Sequence, residues 1–141
     1  MEVDPETGSV DVVRPVVGHA NDRSINPMIV EGQIQGGHAH SLGHALFEEL
    51  VYQSDSGFQT ASFLDCSIAS AHELAAEPKI LPMGSSTAAD AEGLMGAGES
   101  GTVPAPAAIA KAVEDAIGRL RPEAAITELP VSPQRLFEAL A

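Results

Sequence analysis

The sequence predicts an α+β fold, in which helices and short strands pack into a single domain over residues 1–141. The composition, 44% hydrophobic and 19% charged, is typical of globular rather than disordered chains. Two segments carry apolar residues at helical spacing, and a β-branched run near the start alternates as strands do. A length of 141 residues suits one domain that buries a core of its own.

Charge and cysteine content narrow the function classes. Twenty acidic against seven basic residues give a formal net charge of −13, which disfavours nucleic acid and anionic membrane surfaces as partners. Cys66 is the only cysteine, so the chain can form no internal disulfide and can supply no complete iron–sulfur cluster. With no apolar leader and no run of about 20 apolar residues, we expect a cytoplasmic protein.

The first half of the chain is predicted to form a turn, a strand and a helix. Asp4–Gly8 has turn composition, and Ser9–Val17 is a strand kept from a central sheet position by its proline. Asn26 and Pro27 are typical of a helix start. We expect that helix to reach Tyr52. Its apolar stripe consists of Leu42, Ala45, Leu46 and Leu50.

The middle of the chain carries weaker signals. Gln53–Gln59 is predicted to be a turn, because it contains Ser-Asp-Ser-Gly. Thr60–Ile68 is expected to be a short strand or an extended segment. Ala69–Ala91 is predicted to be a long loop, because it is small, polar and poorly patterned.

The last third is predicted to contain two helices. Thr102 is expected to cap the first, with a proline in its first turn and an end at Gly118 or Pro122. Ala124–Leu129 is a brief strand candidate. Ser132 is expected to cap the last helix. The inward-facing residues are predicted to be Ile109, Ala112, Val113, Ala116, Ile117 and Leu120 in the first helix, and Leu136, Phe137 and Leu140 in the second.

The segment Gly93–Pro104 is the most informative stretch for function. Four glycines bracket one carboxylate, Glu99, and a helix is predicted directly afterwards. Glycines let a backbone approach a ligand closely, and a helix N-terminus offers unpaired N–H groups. Glu99 is therefore a candidate general base. The alternative is an ordinary turn whose carboxylate favours the positive end of a helix.

Other chemistries have weaker support. His40 and His44 are four residues apart and Glu48 continues their face, with His38 nearby, so metal ligation is geometrically possible. Half-exposed histidines on a helix are the more economical interpretation. A hydrolase is not favoured, because Ser100 lacks the G-x-S-x-G context of a nucleophile elbow.

Cys66, beside an aspartate, is better explained as a bystander thiol. No phosphate-binding or dinucleotide fingerprint is complete. Two glycine-rich patches, Gly32–Gly43 and Gly93–Gly101, would suit a large polar cofactor held by backbone N–H groups and amides.

Several short motifs then occur in an order that resembles a known family. They are Val3-Asp4-Pro5-Glu6-Thr7-Gly8, Ile25-Asn26-Pro27, Val30-Glu31-Gly32-Gln33, Gly36-Gly37, Leu42-Gly43, Glu48-Glu49, Phe63-Leu64-Asp65, Gly96-Ala97-Gly98-Glu99-Ser100-Gly101, Pro104-Ala105-Pro106-Ala107 and Thr127-Glu128-Leu129-Pro130. The chain resembles the C-terminal part of the molybdopterin-binding large subunit of the xanthine dehydrogenase, or molybdenum hydroxylase, family. The resemblance covers nearly all residues outside Ala69–Ala91.

The resemblance implies a function and a set of site residues. These enzymes oxidise an aldehyde, an N-heterocycle or a similar small molecule with oxygen derived from water. Their G-x-G-E-x-G glutamate acts as the base and matches Glu99, expected to be partly desolvated in a buried loop. The cofactor is molybdopterin with molybdenum, in bacteria usually the cytosine dinucleotide form. The cofactor-binding positions that the resemblance implies are Gly32, Gln33, Gly36, Gly37, Gly96, Ala97 and Gly98.

The resemblance also implies partners, and the chain departs from the family pattern in places. The partners are the remaining large-subunit region and subunits that carry iron–sulfur clusters and FAD. Met95 stands where a basic residue is common, and Ala39-His40-Ser41 replaces A-Q-G. We expect either a separately encoded or truncated portion of a catalytic subunit, or a non-catalytic scaffold of such a complex.

Overall fold

The computed structural model describes residues 1–21, 23–55, 57–74, 76–84 and 95–141, in which helices and short strands pack together. The predicted α+β class is confirmed. Gly93, the first residue of the functional segment Gly93–Pro104, and residues 85–91 of the predicted loop lie outside the described residues. The elements in chain order are β1 (Glu2–Val3), β2 (Val10–Asp11), β3 (Val16–Ala20), α1 (Pro27–Leu46), β4 (Lys79–Met83), α2 (Ala105–Ile117) and α3 (Pro133–Leu140).

The N-terminal residues form three short strands, where the sequence predicted one longer strand. β1 and β2 are antiparallel around the predicted turn, where the Asp4 carboxylate accepts bonds from the Glu6 amide and the Thr7 hydroxyl. The predicted strand Ser9–Val17 is interrupted before β3. Pro15 lies at the interruption because it has no N–H to donate. Its carbonyl oxygen still accepts a bond from the Lys79 amide at 3.0 Å.

β4 corrects the predicted loop Ala69–Ala91. It pairs in parallel with β3, and Pro82 lies opposite His19. The sheet contains these two strands alone among the described residues. The proline is tolerated because β4 has an unpaired edge, where a missing N–H breaks no ladder bond. No alternation of apolar and polar residues reveals this strand, since four of its five residues are exposed.

Helix α1 begins as predicted and ends earlier. The Asn26 side chain accepts a bond from the Ile29 amide, and Pro27 occupies the first turn. The amides of Phe47 and Glu48 both bond the Gly43 carbonyl oxygen, and this closes the helix. Leu50, predicted to extend the apolar stripe, is 67% exposed. Short-range spacing does not show where the chain turns away.

The segments predicted to follow α1 contain turns in the described residues. The predicted turn Gln53–Gln59 is confirmed, and it is closed by a bond from the Gln53 amide to the Gly57 carbonyl oxygen. Thr60–Ile68, predicted to be a strand or an extended segment, contains a turn in which the Cys66 amide bonds the Ser62 carbonyl oxygen.

The core lies between the three helices. Leu42, Ala45 and Leu46 of α1 pack with α2 and α3. The other buried apolar members of this core are Ile109, Ala110, Val113, Ile117, Val131 and Leu136. Ser132 caps α3 as predicted, and its side chain accepts a bond from the Arg135 amide. Phe137, predicted to face inward, is 43% exposed.

Two further expectations for the last third are wrong. The residue that precedes α2 is Pro104, with no side-chain cap, so Thr102 does not cap this helix. Ala124–Leu129 forms no strand. The Ile126 amide bonds the Glu114 carboxylate at 2.9 Å instead of a neighbouring strand. Gly118 follows the last residue of α2, which confirms one of the two predicted ends. No helix in the described ranges is long and apolar enough to cross a membrane.

Candidate functional site

One face of α1 holds the loop that carries Glu99. Gln33, Gly37 and Ser41 are spaced by four residues and therefore share this face. The Gln33 side-chain amide donates to the Gly98 carbonyl oxygen at 3.2 Å. The Ser41 hydroxyl lies 3.0 Å from the carbonyl oxygen of Thr102. The structure thus brings together the two glycine-rich patches singled out in the sequence.

Between these two contacts, helix and loop meet backbone to backbone. A Cβ atom on Gly37 would lie 3.0 Å from both the Gly101 carbonyl carbon and the Thr102 nitrogen. A Cβ atom on Gly101 would lie 2.8 Å from the Ile34 carbonyl oxygen. Both residues are buried. Glycine is therefore required at these two positions for packing, and a cofactor contact of Gly37 stays a prediction.

Four other predicted cofactor-binding positions behave differently. A Cβ atom on Gly32, Gly36, Gly96 or Gly98 would meet nothing within 4 Å. All four residues are exposed. A glycine inside a helix costs about 1 kcal/mol relative to alanine, and no packing contact accounts for Gly32 or Gly36 in α1. The open space beside these glycines fits a bulky polar group that lies against the helix and the loop.

Glu99 lies between Gly98, whose carbonyl oxygen Gln33 bonds, and Ser100. Its carbonyl oxygen accepts a bond from the Thr102 amide at 3.0 Å, which closes a turn. The side chain is exposed, whereas the sequence predicted a carboxylate partly desolvated in a buried loop. The expectation is wrong for this chain, because none of its described elements covers the loop on the side of the carboxylate. The side chain is therefore accessible to a ligand or to another part of a complex.

The structure adds one residue that sequence reasoning missed. His19 of β3 is only 7% exposed, and its Nδ1 atom lies 3.2 Å from the Ser100 hydroxyl oxygen. Ser100 directly follows Glu99. The signal was available in the strand: Val17 and His19 alternate with more exposed neighbours, which indicates an inward face. A polar side chain at an inward position is expected to have a hydrogen-bond partner.

This serine–histidine contact does not make a hydrolase site. A nucleophilic serine needs a histidine that is itself oriented by a third group. The Nε2 atom of His19 is buried and has no hydrogen-bond partner among the described residues. Ser100 is half-buried. The geometry therefore gives the hydrolase alternative no further support.

The histidines of α1 are separated by the helix. His38 is buried, and burial lowers the pKa of its imidazole. His40 and His44 are exposed. Together with Glu48 and Cys66 they border a cleft of about 510 Å³, and His38 does not line it. Nowhere in the described ranges do three His, Cys, Asp or Glu side chains lie close enough to hold a metal ion. The metal-binding alternative therefore receives no support.

Comparisons with known proteins assign the chain to a family. A model of the molybdopterin cofactor-binding domain matches residues 1–75. The nicotine 6-hydroxylase large subunit of Paenarthrobacter nicotinovorans is 36% identical over 139 residues, or 99% of this chain. The chain belongs to the molybdenum hydroxylase family. The sequence-based recognition is thus confirmed, and this chain spans 17% of the nicotine 6-hydroxylase large subunit.

Solved structures of family members share the fold. Quinoline 2-oxidoreductase from Pseudomonas putida 86 aligns with a TM-score of 0.85 at 34% identity, over 98% of this chain and 17% of that one. Carbon monoxide dehydrogenase from Oligotropha carboxidovorans aligns with a TM-score of 0.88 at 28% identity, over 97% and 17%. The chain therefore corresponds to part of a molybdenum hydroxylase large subunit.

Proposed function

We propose that this chain supplies the catalytic base and part of the cofactor cradle of a molybdenum hydroxylase. The enzyme would oxidise an aldehyde, an N-heterocycle or a similar small molecule with oxygen derived from water. The observation that carries the proposal is the bond from the Gln33 amide to the Gly98 carbonyl oxygen, 3.2 Å long. It joins the two glycine-rich patches one residue away from the exposed carboxylate of Glu99.

The cradle consists of the open glycines and the amide between them. Gly32 and Gly36 leave space along α1, and Gly96 and Gly98 leave space along the loop. The loop backbone beside Gly96 and Gly98 and the side-chain amide of Gln33 can bind the polar atoms of a molybdopterin, in its cytosine dinucleotide form. Gly32 and Gly36, whose N–H groups donate within α1, contribute space only. Ala97, which lies between the two loop glycines, contributes backbone groups. When bound, the molybdenum cofactor supplies the two-electron oxidation chemistry.

Glu99 is proposed to accept a proton during turnover. A general base must reach the proton that it removes and must be held in place. The residues on either side meet this requirement, because Gly98 is bonded by Gln33 and Ser100 contacts His19. The exposed side chain leaves room for substrate. In the assembled enzyme, the remaining large-subunit region would cover it.

The proposed partners are the parts of the enzyme that this chain does not supply. The chain carries one cysteine, which is too few to hold an iron–sulfur cluster. The iron–sulfur clusters and the FAD that accept the electrons would therefore lie on partner subunits. One relative is named as a large subunit and another as the gamma subunit of a dehydrogenase complex, both from Paenarthrobacter nicotinovorans. A cytoplasmic location is consistent with a lone free thiol.

The test is Glu99→Gln in the assembled, molybdenum-containing complex. The amide keeps the shape of the side chain and removes its basicity, so turnover should fall by at least about 100-fold, the lower range for general acid–base catalysis. Molybdenum content should not change. The matched control is Glu123→Gln, because that side chain is 72% exposed and forms only a surface ion pair. Retained turnover in Glu99→Gln would remove Glu99 from the chemistry.

The second candidate is a non-catalytic scaffold of such a complex. Met95 and His40 depart from the family pattern and favour it. Ser41, the third departure, does not, because its hydroxyl lies 2.8 Å from the Gly37 carbonyl oxygen and 3.0 Å from that of Thr102. That residue therefore supports the loop. A purified complex that contains this chain but neither molybdenum nor a cytosine nucleotide would favour the scaffold.

A further inference from the structure

The contact between His19 and Ser100 joins two parts of the chain that are 81 residues apart. His19 lies on β3 and is only 7% exposed. Ser100 lies in the loop directly after Glu99. No other side-chain hydrogen bond in the described ranges runs from β3 to this loop.

The loop is thereby held on both sides of Glu99. On one side, Gln33 of α1 bonds the Gly98 carbonyl oxygen. On the other side, His19 bonds the Ser100 side chain, and Gly101 packs on the α1 backbone. Glu99 itself makes no side-chain contact that would fix it, as far as the described residues extend. Its position is therefore set by its neighbours.

The donor and acceptor roles in the contact between Ser100 and His19 follow from the hydrogen atoms that each group carries. A serine hydroxyl has one hydrogen and two lone pairs, and a neutral imidazole has one N–H and one acceptor nitrogen. Ser100 Oγ also lies 3.5 Å from the Ala97 carbonyl oxygen, within the same loop. If the hydroxyl donates to the Ala97 carbonyl oxygen, then Nδ1–H of His19 donates to the hydroxyl, and both the hydroxyl and Nδ1 have partners.

In this arrangement the Nε2 atom of His19 is an acceptor, and it is buried without a partner among the described residues. A buried polar atom without a partner destabilises the folded chain. An apolar residue at this strand position would avoid the free-energy cost of the unpartnered Nε2 atom. The histidine is therefore not explained by the stability of the strand pair.

We propose that His19 is a positioning residue for the base: through Ser100 it fixes the loop segment that presents Glu99. The inference rests on the proposed function. Displacing a catalytic group by about 1 Å can lower the rate by about 100-fold, so a single hydrogen bond to the adjacent residue is sufficient to matter.

The test uses the assembled, molybdenum-containing complex. His19→Leu and Ser100→Ala should each lower kcat by about tenfold or more, with KM and molybdenum content near the wild-type values. The double variant should be no slower than the slower single variant, because both changes remove the same contact. His19→Asn places an amide near the position of Nδ1 and should restore most of kcat.

A second measurement does not depend on turnover. Amide hydrogen exchange of the peptide that spans Gly96–Gly101 should be faster in His19→Leu and Ser100→Ala, in complexes with and without the cofactor. Matched controls are His72→Leu and Ser62→Ala, because both side chains are exposed. The controls should leave kcat and exchange unchanged.

The inference is overturned by wild-type kcat in Ser100→Ala, by additive losses in the double variant or by failure of His19→Asn to restore the rate. If His19→Leu does not assemble, Ser100→Ala decides, since it removes one oxygen atom only. Glu99→Gln measured in parallel separates the two claims. Activity in Glu99→Gln overturns the proposed function, whereas its inactivity with normal His19 and Ser100 variants overturns the positioning role alone.

Discussion

Gly101 lies so close to Ile34 that a Cβ atom added to the glycine would be 2.8 Å from the Ile34 carbonyl oxygen. The loop that carries Glu99 therefore rests on the backbone of α1 rather than on side chains. Backbone atoms in a helix cannot move aside as a flexible side chain can. The distance between helix and loop is thus fixed by the absence of one methyl group.

Gly101→Ala should destabilise the full chain. The added methyl group forces α1 and the loop apart, and overpacking of this kind costs about 1–3 kcal/mol. Urea unfolding of the 141-residue chain measures the change. Gly96→Ala is the matched control, because a Cβ atom there would meet nothing within 4 Å, and it should stay within about 0.5 kcal/mol of wild type. Equal stability of the two variants would contradict the packing role.

Gly36→Ala should have opposite effects on stability and on cofactor content. A Cβ atom at this exposed position meets nothing within 4 Å, and alanine in a helix interior is about 0.5–1 kcal/mol more favourable than glycine. The free energy of unfolding of the chain should rise accordingly. In the assembled complex, molybdenum content should fall, because the methyl group fills the proposed cradle. Unchanged molybdenum content would place the cofactor elsewhere.

Ser41→Ala should loosen the loop from the helix. The buried hydroxyl lies 2.8 Å from the Gly37 carbonyl oxygen and 3.0 Å from that of Thr102. Its removal takes away the one hydroxyl donor that these two carbonyl groups share, and a lost hydrogen bond of this kind costs about 0.5–1.5 kcal/mol. Urea unfolding gives the value, with Ser62→Ala as the exposed control. A loss as small as that of the control would show that Ser41 does not support the loop.

The stability of the chain should fall at mildly acidic pH because of His38. Burial lowers the pKa of this imidazole below its ordinary value of about 6.5. As the pH falls below about 6.5, the unfolded chain binds the proton more readily than the folded one, so the free energy of unfolding decreases. The decrease ends once the pH is below the folded-state pKa.

His38→Leu removes this proton uptake, so the variant should lose less stability between pH 7 and about pH 5. Unfolding curves at several pH values measure the slope. His72→Leu, at an exposed position, is the matched control and should keep the wild-type slope. A wild-type slope in His38→Leu would assign the acid sensitivity to other groups.

Short-range signals are sufficient for the starts of α1 and α3. Asn26 and Ser132 were predicted to be caps, and both side chains accept a bond from the amide three residues on. Such caps depend only on neighbouring residues, so the sequence contains them in full. The glycines that bracket Glu99 were visible for the same reason, and the ordered motifs around them identified the family.

The tertiary structure decided which residues pack against one another and which face open space. Gly37 and Gly36 are adjacent in sequence, yet one packs on Gly101 and the other faces open space. β4 forms within a predicted loop because β3, about 60 residues earlier by the register of Val16 with Lys79, offers it an edge. The support of Glu99 by His19 through Ser100 has the same origin. These features depend on contacts between distant segments, whose distances no local spacing encodes.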